Sequence, residues 1–179
     1  MKGKMLALII GFSVVLSSYG QENKISKKMG FGLNITQNQK DFGLGLNVVS
    51  PYFAKERIAF RLRGNLMWNE HLNIDDITIW SPYSNLSFGI VSVAGEIGDF
   101  MRLYGEGGII ALFPSSRFSG ETFILGGYGL FGFEFFFDSK NNYFIEIGGI
   151  GTGAVAEKVS GQPIYSNGIL INVGYRYQF

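Results

Sequence analysis

Glu134 and Glu146 flank the polar run 138–142, with Arg102 upstream and Arg176 near the C-terminus. Paired carboxylates in a cleft can serve as general acid and base. Arginines beside them change that chemistry: guanidiniums favour both charged forms and bridge them bidentately, so the acids are held ionised rather than poised to move protons. Arg57, Arg61 and Arg63 recur at alternate or near-alternate positions within one short segment. His71 is the sole histidine, in Glu70-His71-Leu72-Asn73-Ile74-Asp75-Asp76, with Ser81 and Ser84 downstream. Histidine, aspartate and serine are the types a nucleophilic triad uses, but a lone histidine in a polar loop is ordinarily just solvated. With one histidine and no cysteine, neither a metal site nor a cofactor is expected, and Asp75-Asp76 alone is a weak argument for calcium. The glycine runs 105–108, 126–129 and 148–153 lack the lysine and following helix of a phosphate loop.

The elements that position these residues are strands. In Arg57–Trp68, Ile58, Phe60, Leu62, Leu66 and Trp68 alternate with Arg57, Arg61, Arg63 and Asn65; a helix would spread those arginines around its surface, whereas a strand keeps them on one side. The same two-residue period marks Met29–Thr36, Asp41–Phe53, a fourth segment from Leu86 with a phase slip near Val91 and Val93, Phe100–Phe113, Thr122–Phe137, Tyr143–Ala154 and Gly168–Phe179. Pro51 cannot donate to a ladder and predicts a strand end or bulge. Eight strands result. Short connections at 54–56, 95–99 and 138–142 alternate with connections at 37–40, 69–83, 114–121 and 157–165, three of which are longer.

Composition narrows the setting. Of 179 residues 26 are Gly, 16% are aromatic and 16% are charged, against about 25% charged and 7% Gly in an ordinary soluble domain. Beyond the N-terminal region no apolar run reaches the ~20 residues of a spanning helix, so a membrane protein of this kind must be a barrel. Formal charge is +1, which gives no reason to expect nucleic-acid binding. Met1-Lys2-Gly3-Lys4, the apolar run 5–16 and Ser17-Ser18-Tyr19-Gly20 read as a cleaved signal peptide over residues 1–20. A short N-terminal segment at 21–28 and one domain at 29–179 complete the predicted organisation.

The chain ends Val173-Gly174-Tyr175-Arg176-Tyr177-Gln178-Phe179. This ending resembles the C-terminal strand of the small eight-stranded Gram-negative outer-membrane β-barrel proteins. The resemblance implies a closed, antiparallel, up-and-down transmembrane β-barrel of all-β class, with both termini periplasmic and outer-membrane lipid and lipopolysaccharide around it. It also implies that the barrel-insertion machinery reads Tyr175, Tyr177 and Phe179. Aromatics at both ends of the strands, Tyr52, Phe100, Phe137 and Tyr143 at one and Trp68, Trp80, Tyr83, Phe113, Phe123 and Tyr165 at the other, fit two membrane interfaces.

Inside a barrel of eight strands there is room for side chains or at most one small ligand. Pairing strands symmetrically about their connections sets Arg102 opposite Glu134, Glu134 opposite Glu146, and Glu146 opposite Arg176, with Arg61 enriching the same interior. The expected function is a non-enzymatic, structural or surface-interaction protein with a filled lumen, meeting an extracellular partner through loop 69–83. The alternatives are a narrow, porin-like channel gated by the Arg/Glu row, and a lipid A-modifying enzyme using His71.

Overall fold

The computed structural model describes residues 28–72 and 77–179. The expected signal peptide, nearly all of the segment 21–28 and Asp75-Asp76 lie outside them. Eight strands are present among the described residues: β1 (Gly30–Asn38), β2 (Asp41–Val49), β3 (Ile58–Leu72), β4 (Thr78–Ile97), β5 (Met101–Phe113), β6 (Ile124–Phe136), β7 (Asn141–Gly151) and β8 (Gly168–Gln178). Each pairs antiparallel with the next, and β1 with β8, closing the barrel.

Alternation decides which way each side chain points. Leu33, Leu44, Leu62, Phe88, Ile109, Leu125, Ile147 and Ile171, one from each strand in turn, are exposed on the outer wall. Water would not tolerate so continuous an apolar girdle, whereas a lipid surface matches it. Arginines, glutamates, asparagines and tyrosines of the opposite parity fill the interior.

Three sequence expectations change. The polar stretch 69–83 is largely strand: Asn69 pairs with Ser81, Glu70 with Trp80 and Leu72 with Thr78. Its alternation continues, with polar Asn69, His71 and Ser81 on the buried side, so reading polarity alone suggested a loop. No phase slip occurs at Val91 and Val93, since both point inward and are buried. The irregularity is a bulge between Val93 and Gly95, and the apparent slip arose because this part of the interior is apolar. Finally, Tyr52, Tyr83 and Tyr165 are buried inside the barrel rather than lying at its outer surface. Trp80, Phe100, Phe113, Phe123, Phe137 and Tyr143 do face outward.

At the end carrying the termini the connections are short, 98–100 and 137–140, apart from 50–57. The latter turns through Ala54, Lys55 and Glu56, all left-handed with φ of 49, 61 and 64°. The long connections, 114–123 and 152–167, lie at the far mouth.

Candidate functional site in the barrel interior

The interior is stacked in layers. Nearest the termini, Glu134 on β6 receives the Arg176 guanidinium from β8, while Arg102 on β5 approaches it to 3.7 Å, an ion pair without a hydrogen bond. Arg102 donates instead to Glu96 from Nε at 3.0 Å, with Nη2 ion-paired to the same oxygen at 2.9 Å. Glu96 is a rim residue whose side chain is 44% exposed. Aromatic faces complete the layer: the Arg102 guanidinium lies 4.8 Å from the Tyr52 ring centre and Arg176 lies 4.7 Å from that of Phe144.

The next layer holds Arg61 and Arg63 on β3, Glu106 on β5 and Glu146 on β7. Arg61 Nη1 lies 2.5 Å from Glu106 and also bonds Glu146; Arg63 Nη2 reaches Glu146 at 2.7 Å. Tyr104 and Tyr128 donate their hydroxyls to Glu146 and Glu106 at 2.5 and 2.6 Å. Asn172 adds a 3.0 Å bond to Glu146. All four charged side chains are buried. Glycines make room for this layer: a Cβ on Gly132 would strike the Tyr104 ring, and one on Gly89 would meet the Tyr128 hydroxyl and Glu106.

Above the charges lies a neutral layer in which Asn34, Asn47, Asn65, Asn85, Thr36 and Asn172 bond one another at 2.7–3.4 Å. The enclosed cavity beside it measures about 10 Å³, room for roughly one water.

The registers correct two sequence-derived pairings. Arg102 is opposite Glu134, but Glu134 is opposite Phe144 and Glu146 is opposite Gly132. Glu146 faces Asn172, and Arg176 faces Asn142. Counting about the centre of a connection assumes symmetric strand ends, and neither β6–β7 nor β7–β8 has them. The acids therefore fall into separate layers: Glu134 goes to Arg102 and Arg176, and Glu146 to Arg61 and Arg63. Glu106 and Glu96 also belong to the network, outside the row that the sequence predicts. Inward parity was the available signal for Glu106; Glu96, in what read as a turn, offered none.

His71 ends β3 rather than standing in a solvated loop. It is buried, with Nδ1 3.3 Å from the Asn69 carbonyl and its ring 6.0 Å from that of Phe118. Ser81 points inward and Ser84 outward, so histidine and both serines do not converge. Tyr177 and Phe179 face outward and Tyr175 shares their parity. The Tyr175 hydroxyl bonds the Asn141 side chain.

No known family profile matches this sequence, and no curated protein matches it. Solved structures do. The N-terminal β-barrel domain of Pseudomonas aeruginosa OprF superposes with a TM-score of 0.57 at 11% identity, covering 86% of this chain and 98% of that one. The chain has the fold of the eight-stranded outer-membrane β-barrels. The outer membrane protein OprG from Pseudomonas aeruginosa gives a TM-score of 0.51, also at 11% identity, over 85% of this barrel and 95% of its own chain.

Proposed function

We propose that this barrel is an integral outer-membrane protein without enzymatic activity, a structural or surface-interacting element whose lumen is closed. The supporting observation is the filled interior: two layers of buried ion pairs and one of hydrogen-bonded amides occupy the path a solute would take. The apolar girdle supports lipid and lipopolysaccharide as its surroundings. Termini in the periplasm and long connections outside agree with the asymmetry of such barrels. In this reading the insertion machinery recognises Tyr175, Tyr177 and Phe179, and the β3–β4 hairpin tip around 69–83 meets an extracellular partner.

Two measurements test it. The purified protein should migrate faster on a gel before boiling than after, as a closed barrel does. In planar bilayers it should give no conductance above background. A steady conductance that Glu134→Ala or Arg102→Ala alters would favour a gated channel instead. Changed lipid A acylation in cells that is lost with His71→Ala would overturn the non-enzymatic reading.

A further inference from the structure

The far mouth of the barrel is covered. Phe118, from connection 114–123, is fully buried there, and Tyr165, from connection 152–167, is nearly so. Their rings meet edge-on at 5.0 Å, and both meet Tyr83 of β4, at 6.0 and 5.4 Å. His71 closes the set. Burial of these rings depends on the two connections lying over the opening, because Phe118 belongs to no strand and has no barrel ladder to hold it.

Few bonds fasten this cover. Glu157 accepts from the Gly120 N–H and, at 3.1 Å, from the Ser119 hydroxyl. Lys158 donates its Nζ to the Ser116 carbonyl at 3.0 Å and its N–H to the Phe118 carbonyl at 3.1 Å. Two wall residues hold the cover at Ser166: the buried carboxylate of Asp41 accepts from the Ser166 N–H at 2.8 Å, and from Tyr83 and Asn69 at 2.6 and 2.8 Å, while Asn38 Nδ2 donates to the Ser166 hydroxyl at 3.4 Å. The bonds between the two connections can all break without losing one bond of the barrel ladder.

Beneath the cover, down to Arg63, the lining has Asp41 as its one acid among the described residues and mixes asparagines, Thr36 and Ser87 with Ile110, Ile150 and Leu170. It offers hydrogen-bonding groups with no partner among the described residues: the Nδ2 of Asn85 and the Oδ1 of Asn38 and of Asn69. Such groups are costly when dry and favourable when solvated. The ion-pair layers below also hold unpartnered atoms, on Arg61, Arg63, Arg102 and Arg176, but Arg61 and Arg63 join β3 across the lumen to Glu106 and Glu146.

We propose that connections 114–123 and 152–167 form an opening lid, latched through Glu157, over a cup in which Thr36, Ser87 and asparagines are mixed with Ile110, Ile150 and Leu170, floored by the Arg/Glu layers. Closed, the cup has room for roughly one water; the lid controls whether water and solutes small enough to occupy the space left by Phe118 and Tyr165 reach it from the far mouth. This goes beyond the closed-lumen reading, since a blind cup can open and shut in a barrel that never conducts.

The absence of cysteine permits a direct test. Asn85→Cys in the cup, Val91→Cys opposite Glu106 of the Arg/Glu layer and Ser160→Cys on the exposed loop are each made in the full chain and exposed to a small water-soluble methanethiosulfonate. With native loops, Asn85→Cys should react at least tenfold more slowly than Ser160→Cys. Adding Glu157→Ala with Phe118→Ala should raise the Asn85→Cys rate at least tenfold and leave Val91→Cys slow. Glu157→Ala alone, an exposed loop change, should raise it in the same direction and serves if the double change prevents folding, as judged by the heat-dependent gel shift. Equal rates at Asn85→Cys and Ser160→Cys with native loops would overturn the lid. So would an Asn85→Cys rate unmoved by the loop changes, or acceleration at Val91→Cys to match it.

Discussion

Glu146 carries more of the interior than any other single side chain, accepting from Arg61, Arg63, Tyr104 and Asn172. Glu146→Gln would leave two buried guanidiniums sharing Glu106, and breaking one side of a buried pair costs about 3–5 kcal/mol. Denaturant unfolding in lipid vesicles, followed by Trp68 and Trp80 fluorescence, should register that loss. Arg102→Leu should cost less than Arg176→Leu, because Arg102 pairs chiefly with the part-exposed Glu96 while Arg176 is fully buried against Glu134 and Phe144. The residue types of this network were readable from strand parity, and so was Arg102 opposite Glu134. Which acid meets which arginine was not, because an arginine reaches across the lumen to strands far from its own. Arg61 on β3 meets Glu146 on β7, a contact no hairpin count can produce.

At the scale of elements, strand number, order and inward parity were legible because period-two alternation is a local signal. The ends were less so, since β3 and β4 continue past the point where polarity suggested a loop. The glycines also separate by direction. A Cβ on inward-pointing Gly148 would run into the Gly129 carbonyl and the Leu130 backbone, whereas on outward-pointing Gly149 it would meet only ordinary contact, at 3.7 Å from the Gly168 carbonyl. Gly148→Ala should therefore impair folding, seen as loss of the heat-dependent gel shift, while Gly149→Ala should fold normally. The lid connections make a pH prediction. The Gly120 N–H, with help from the Ser119 hydroxyl and Lys158, holds the Glu157 carboxyl below the usual carboxylate range. A depressed acid contributes its stabilisation above the unfolded value and loses it as pH falls through the folded one. Loop contacts should loosen only in acid, below about pH 4. Proton exchange at the Gly120 amide, followed by NMR, should report it, and Glu157→Gln should remove the pH dependence.

For the whole molecule, the outer girdle and the packed interior reverse the arrangement of a soluble domain, with apolar residues outside and charges within. Closure of the ring makes this arrangement possible, since β1 and β8 each leave an open edge until they meet. A chain ending before Gly168 should therefore fail to give the compact, heat-modifiable form, and should be degraded in cells where the full chain accumulates. The ion pairs add a requirement of timing. Arg61 is separated from Glu146 by 85 positions, and the Glu134 carboxylate waits 42 positions for Arg176 on the last strand. The final strand that seals the wall also delivers the last counter-ion, Arg176. Without β8, Glu134 would lack its Arg176 partner, and unpaired charge in hydrocarbon is costly, so sealing the wall and completing the charge pairing belong to the same step.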